Sequence, residues 1–564
     1  MKLPAHPVGG VSVGRSSLRA MDVAEQAAIA LEEVCGALPG GGERRPGQEA
    51  MVRRVAESIE AGTHLVVRAG TGTGKSLAYL VPALLSGRTT VVATATKALQ
   101  DQLATKDLPF LAEHLRTRLG RTFTFSVLKG RANYVCRQRL TELAAVGDGQ
   151  QQLDGLADAA DAGQLATIAE WADSTETGDR ADLPIQPTAT TWAAVSVGSH
   201  ECPGAARCPS GGECFAEAAR ATAEAVDLVV TNLHLYGIDV VTEGAALPFH
   251  EVAILDEAHQ TEDVLAHASG FELRAGRFIA LVQRARSILA GSTAVENVAD
   301  LAGRLSLQVA PVDVATVLDQ CLWGERTVVL TSATIPANLS TRLGLTDHQH
   351  RIEDVGSPFD FERQSLLYCA TSMPDPSDDG YRAACYDEIE RLVTAAGGRT
   401  LALFTSRRAL DEAVDALRDR FPWQVLHQED LPKPLLLAKF ADDETSCLFG
   451  TKGLWHGIDI PGPSLSLVVI DRIPFPRPND PLLSARRDLL GEGAWREIDL
   501  PLAATELAQG AGRLIRTTED RGVVAVLDRR LATSRSYRWD LLEALPPMAR
   551  TADPDEVVSF LEGL

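Results

Sequence analysis

Eight residues, AGTGTGKS at 69–76, constrain this chain more than any other stretch. They follow the apolar run Leu65, Val66, Val67, which reads as a short buried strand. They precede Leu77, Ala78, Tyr79, Leu80 and Val81, which continue as a helix through Pro82. Gly70, Gly72 and Gly74 let the backbone curl so that successive N–H groups point at phosphate oxygens, with a helix N-terminus behind them. Ala69, Thr71 and Thr73 complete the loop, Ala69 standing where the pattern usually has its first glycine. Lys75 then reaches the β- and γ-phosphates, and Ser76 offers its hydroxyl to Mg²⁺. The expectation is a nucleoside triphosphate site on a parallel α/β sheet.

A chain of 564 residues is too long for one core, so two or more domains are expected. A net charge of −22 argues against a protein that merely coats nucleic acid. It does not exclude a motor that holds a strand in a basic groove beneath an acidic exterior. No apolar run approaches the roughly 20 residues that span a bilayer, and the first 20 lack a signal-peptide core, so the chain is expected in the cytoplasm with no membrane partner. Nine cysteines, an odd number, argue against a disulfide framework. Cys35, Cys321, Cys369, Cys385 and Cys447 are scattered singly and read as small core residues.

Upstream of the glycine loop, residues 23–38 have helical spacing, and Arg45, Pro46, Gly47 and Gln48 open a second helix reaching about residue 59. The Gln48 amide both donates and accepts, which suits the edge of adenine. Downstream, TTVVATAT at 89–96 reads as a strand that ends on Thr96, a candidate N-cap or structural cap of the helix that follows. Basic residues Lys129, Arg131, Arg137 and Arg139 surround Tyr134 and Cys136, a mixture suited to a phosphate backbone and a stacked base. Residues 142–182 then carry ten acids and one base, a solvated face. Cys202, Cys208 and Cys214 follow among prolines and glycines. With Cys136 they supply the four thiols that either Zn²⁺ or an iron–sulfur cluster accepts. The absence of short Cys pairs favours a [4Fe–4S] cluster.

A strand at 252–255 ends in Asp256, Glu257, Ala258 and His259. Asp256 suits the Mg²⁺ shell, and Glu257 can orient and deprotonate an attacking water. Residues 260–325 read as helical. A strand at 327–334 ends in small hydroxyl residues, which can couple phosphate state to strand position or equally be ordinary strand-end polars, and past 357 a second α/β alternation begins. Its final helix, expected over 503–514, carries QGAGRLIR at 509–516. Arg513 and Arg516, three apart, would share a helix face and reach a phosphate across a cleft.

Taken in order, Gln48, AGTGTGKS, TATKALQDQL, KGRANYVC with three later cysteines, DEAH, TSAT, FTSRRAL, GTKGLWHGIDIPG and QGAGRLIR resemble superfamily 2 helicases of the XPD/DinG iron–sulfur group. The bacterial DinG-like branch is the nearest in kind. The resemblance covers about residues 45–530. It implies two RecA-like P-loop domains closing on ATP, with an iron–sulfur insertion and a helical arch insertion in the first. The expected division is a tail at 1–22, a first RecA-like domain at 23–128, 219–259 and 326–350, a cluster insertion at 129–218, an arch at 260–325, and a second RecA-like domain at 351–564.

Carried over by position, Gln48 reads adenine, and Lys75, Ser76, Asp256 and Glu257 form the ATP and Mg²⁺ site. Asp459, Gln509, Arg513 and Arg516 face it from the second domain, the arginines as finger residues. Cys136, Cys202, Cys208 and Cys214 match the cluster ligands. The activity implied is 5′-to-3′ unwinding of DNA, with single-stranded and 5′-tailed duplex DNA as partners. A repair or replication protein partner is compatible with this, and nothing demands more than a monomer. Three departures stand out: residues 40–45 offer no aromatic to stack on adenine, His456 stands where a Glu is usual, and the arch is short. An N-terminal exonuclease of the kind some relatives carry is not expected, because only 44 residues precede Arg45. A remodelling ATPase that does not separate strands is the alternative reading.

Overall fold

The computed structural model describes residues 22–39, 41–146, 160–199, 201–273, 307–455 and 462–564. Among the described residues, the first part of the chain holds nine strands: β1 (His64–Arg68), β2 (Thr90–Thr94), β3 (Phe125–Val127), β4 (Leu228–Asn232), β5 (Val252–Asp256), β6 (Phe271–Leu273), β7 (Leu307–Val309), β8 (Thr327–Ser332) and β9 (His350–Asp354). Seven form one parallel sheet in the order β3-β4-β2-β5-β8-β1-β9. Alternation explains why it is covered on both faces. Leu65 and Val67 enter one apolar cluster with the helices Pro46–Ala61 and Lys75–Ser86, while Val66 enters another with Tyr236, Leu318 and Leu339.

A second sheet follows with β10 (Ser365–Cys369), β11 (Thr400–Leu403), β12 (Val425–His427), β13 (Cys447–Gly450), β14 (Leu467–Ile470), β15 (Gly522–Val526) and β16 (Ala549–Thr551). Its order is β12-β13-β11-β14-β15-β10-β16, again parallel throughout. These are the two RecA-like sheets, and the α/β architecture is as expected. The first sheet continues through β9 to Asp354, past the expected boundary at 350, because residues 350–354 pair along the whole of β1.

Thr96 accepts from the Leu99 amide at 3.3 Å as the expected N-cap. One helix differs. The helix expected over 503–514 spans Leu500–Ala511 and stops at Gly512, so Arg513 and Arg516 lie in the turn beyond it and not on one helical face. Gly510 and Gly512 weaken the helix there, and the Arg513 and Leu514 amides bond back to Gly510 and Ala511 as a tight turn.

Between β3 and β4 a separate unit is inserted. Its small core gathers Tyr134, Val135, Ile168, Ala172, Trp192, Val195 and Phe215, tied by isolated bridges of Tyr134 to Asp179 and Val135 to Ser196. Part of the acidic stretch is therefore structured: helix Ala162–Ser174 contributes Ile168 and Ala172. Half of the expected arch at 260–325, residues 274–306, lies outside the described residues. Its described flanks are the helix Thr261–Ala268 and an antiparallel β6–β7 ribbon. No helix of the described residues is long and apolar enough to cross a membrane.

Candidate functional site

The carboxyl ends of β1, β8 and β5, adjacent in the first sheet, bring three segments together, as ligand crevices of parallel sheets do. The glycine loop leaves β1 and is anchored to β8, where the Ala69 amide donates to the Ser332 carbonyl at 3.0 Å. Gly72 and Gly74 have φ of +75° and +80°, a left-handed conformation that side chains disfavour. Thr73 Oγ1 donates to the Gly70 carbonyl at 2.7 Å, and Lys75 Nζ lies 3.4 Å from the Ala69 carbonyl, folded over the cradle. Ser76 is the second residue of the helix that Lys75 opens, and Tyr79, one turn on, donates its hydroxyl to Asp256 Oδ2 at 3.2 Å.

Gln48 is placed beside this loop, but its amide is engaged with protein. Nε2 donates to the Gly74 carbonyl at 3.0 Å, and the side chain is 5% exposed. Arg45 donates from the same side to the Gly72 carbonyl. Thr71 faces the second domain, where Gly512 approaches it: a methyl on Gly512 would lie 3.9 Å from Thr71 Cγ2.

Asp256 and Glu257 occupy contrasting environments. Asp256 is 2% exposed, and burial pushes its carboxyl up, to about 6, against the pull of Lys75. A cation at this position would restore the charged form. Glu257 has φ of +58°, rare for a side-chain-bearing residue, and its amide bonds Asp256 Oδ1 at 2.9 Å. This turns its carboxylate, 32% exposed, toward the cleft. Burial raises its pKa, but Lys75, His259, Arg513 and the Ser332 hydroxyl together bring it below the ordinary value, so it remains a proton acceptor.

A hydrogen-bonded line leads from Glu257 to the second domain. Ser332 Oγ donates to Glu257 Oε2 at 3.2 Å; His259 Nδ1 lies 2.8 Å from Ser332 Oγ; and Gln509 Nε2 lies 2.6 Å from His259 Nε2. Gln509 has only N–H donors at that nitrogen, so Nε2 of His259 accepts and Nδ1 carries the proton. Gln509 also donates to Thr334 Oγ1 at 3.3 Å. Sequence reading gave His259 no role and left Ser332 open between coupling phosphate state to strand position and an ordinary strand-end polar; the signal for His259 was the DEAH motif itself, but its Gln509 partner lies 250 positions away. Arg513 is near enough to lower the Glu257 pKa, which brings it to the site, while the Arg516 amide bonds Asp520 Oδ2 at 2.7 Å in the same turn. Asp459 lies outside the described residues, as does His456.

The four cysteines converge on a second site. Cys136, Cys202, Cys208 and Cys214 line one cavity of about 440 Å³, and none is in a disulfide. Cys136 leaves a bridged strand and opens the helix Arg137–Val146, whereas Cys214 precedes the helix Phe215–Glu224. Cys208 closes the first of two stacked turns, packed so closely that a methyl on Gly211 would lie 2.1 Å from the Ala205 carbonyl. Burial raises the Cys136 thiol, offset by the Arg139 and Gln138 amides. Among the described residues no three His, Cys, Asp or Glu side chains meet closely enough for one ion. All four thiols line the one cavity, a donor set that either a zinc ion or an iron–sulfur cluster accepts.

The basic and aromatic residues nearby are not free for a strand. Tyr134 is buried, with its hydroxyl accepting from the Lys129 amide at 3.2 Å. Lys129 pairs with Asp179, Arg131 with Glu217, and Arg137 sits 4.6 Å over the Phe215 ring. The stacking expected of Tyr134 is therefore corrected: the small insertion needs its ring as core.

A phosphate cradle on β1, an acidic pair on β5 and a second RecA-like sheet reaching into the same site define the class, a two-domain P-loop helicase of superfamily 2. Family models agree, with "DEAD/DEAH box helicase" matching residues 45–133 and "Helicase C-terminal domain" matching 389–548. The chain is 39% identical to the ATP-dependent helicase DinG of Mycobacterium tuberculosis, over 96% of this chain and 98% of that protein. It is 30% identical to the ATP-dependent DNA helicase YoaA of Escherichia coli, over 94% and 98%. Among solved structures, an XPD helicase matches with a TM-score of 0.59 at 16% identity, covering 90% of this chain and all of the other. The chain belongs to the DinG/YoaA family of ATP-dependent helicases.

Proposed function

We propose that the protein is a 5′-to-3′ DNA helicase that uses ATP to draw single-stranded DNA between its two sheets, acting in DNA repair or replication. The observation that carries this reading is the line Glu257–Ser332–His259–Gln509, which ties a water-activating carboxylate to the position of the second domain. Hydrolysis and domain movement are then one event. The relationship to YoaA, a DNA helicase by name, supports DNA as the track. The polarity follows the family resemblance.

In this account the loop amides and Lys75 hold the phosphates, and the Gln48 amide exchanges its bond to Gly74 for the adenine edge. Ser76 and Asp256 hold Mg²⁺, which when bound offsets the negative charge of the phosphates. Glu257 orients the attacking water and takes its proton. Arg513 and Arg516, with Asp459 and Gln509, complete the site from the second domain, the arginines stabilising charge on the transferring group. Cys136, Cys202, Cys208 and Cys214 hold a [4Fe–4S] cluster, which when bound staples the insertion and adds an electron-transfer centre. An aromatic surface on the second domain offers stacking faces for unpaired bases: Trp495, 41% exposed, lies 5.0 Å from Phe475 and 5.8 Å from Tyr537, beside Arg487. The domain division given above, with the first domain extended through β9, a monomeric state and a cytoplasmic location belong to the same proposal.

Lys75→Ala should abolish single-strand-stimulated ATP hydrolysis while leaving the circular dichroism spectrum unchanged. Hydrolysis retained in that variant would remove the site assignment. Protein purified without oxygen should be brown, with about four irons per chain. A colourless zinc protein would replace the cluster with a structural metal.

A further inference from the structure

The loop joining the two sheets is bonded to the phosphate cradle. The Gly70 amide donates to the Gly356 carbonyl at 2.9 Å, Thr73 Oγ1 lies 3.4 Å from the same oxygen, and Ser357 Oγ lies 3.4 Å from the Thr71 carbonyl. The Phe359 ring covers the outer side of the cradle. A methyl built on Gly72 would lie 2.1 Å from Phe359 Cζ and 2.4 Å from Cε2. Gly72 thus has two reasons to lack a side chain, its φ of +75° and this ring.

Phe359 is not rooted in the first domain. Its ring is 8% exposed and belongs to the apolar cluster of the second sheet, with Leu367, Leu401, Leu448 and Val524, and it meets Phe361 edge-on at 6.1 Å. Val355, four residues earlier, packs instead on the first domain's cluster. The chain crosses from one core to the other between these two side chains, and the crossing lies on the P-loop.

We propose that Phe359 is a positioning residue that makes the shape of the P-loop depend on the orientation of the second domain. With the ring seated on Gly72, residues 70–74 are held between Phe359 outside and the Gln48 contact to Gly74. Rotation of the second domain carries the ring away and releases the loop. Nucleotide affinity is thereby linked to whatever the second domain binds. If the proposed helicase function holds, that is the single strand, and linkage requires the effect to be reciprocal.

The test compares Phe359→Ala and Phe359→Leu with the wild type, full chain in each case. In nucleotide-free protein, hydrogen exchange at the amides of residues 71–74 should quicken about tenfold in Phe359→Ala, stay within about twofold in Phe359→Leu, and remain unchanged in β4 and β14. Exchange at 71–74 that does not change overturns the proposal, whether or not the protein unwinds DNA. Quickening throughout both sheets also overturns it, by showing general destabilisation. In steady-state hydrolysis, a poly-dT strand should change the KM for ATP at least about fivefold in the wild type and less than about twofold in Phe359→Ala, with Phe359→Leu restoring the effect. An unaltered strand effect in Phe359→Ala overturns the coupling. A wild type with normal exchange behaviour but no ATP turnover would instead count against the helicase reading.

Discussion

At the residue scale, Glu257 has the most demanding position, held at φ of +58° so that its carboxylate leaves the strand and faces the cleft. Glu257→Gln keeps the size and loses the base. It should lower kcat for ATP about 10²- to 10⁴-fold while fluorescent-nucleotide binding persists. His259→Ala removes the link to Gln509 without touching the cradle, so strand-stimulated turnover should fall about tenfold or more while the unstimulated rate changes less. Single-strand titrations of ATPase activity separate the two. That Lys75 meets Asp256 and Glu257, and that the four cysteines share one cavity, was legible from residue types at the ends of apolar strands and in a turn-rich loop. Phe359 and His259 were not, because their meaning depends on partners brought in by the tertiary fold. Gln48 was legible only as a neighbour of the loop, since no local rule showed that its amide bonds Gly74.

Among the elements, the cysteine unit and the helix Pro481–Leu490 are held by tertiary contacts that no periodicity encodes. The insertion depends on a core of few side chains, with Trp192 buried at its centre and bonded through Nε1 to the Ala132 carbonyl at 2.8 Å. Trp192→Ala should cost the unit about 3–5 kcal/mol. Limited proteolysis would then cut within 160–199, and iron content should fall while both sheets stay protected. The helix Pro481–Leu490 from the second domain inserts Arg486 into the first, where it meets Asp263 at 2.8 Å, Glu262 at 3.1 Å and the Val312 carbonyl at 3.1 Å. Glu262 keeps Arg342 as a partner and the Asp263 side chain is half exposed, so losing Arg486 leaves only part of this charge uncompensated. Arg486→Ala should therefore destabilise by about 2 kcal/mol, read as a lower urea midpoint. Strand and helix types were mostly readable from apolar alternation and caps. The early end of the helix at Ala511 was not, because a glycine-flanked turn competes with a helix that arginine and leucine spacing would continue.

For the whole molecule, two parallel sheets of seven strands place the cradle and the Asp256–Glu257 pair at strand ends, and the second domain meets them through Gln509, with Arg513 near Glu257. The doubly covered α/β class was readable from alternating apolar runs. The relative placement of the sheets was not, since no short segment encodes it. A net charge of −22 leaves strand binding to local basic and aromatic surfaces. Affinity for single strands should accordingly fall steeply with added salt, its log–log slope counting the few phosphates contacted. The most direct measurement is ATP-driven strand displacement on matched duplexes carrying a 5′ tail or a 3′ tail, with Lys75→Ala as control. The account predicts displacement of the 5′-tailed substrate only, lost in the variant. Equal displacement of the 3′-tailed substrate would contradict the polarity, and strand-stimulated hydrolysis without displacement of either would contradict the helicase reading itself.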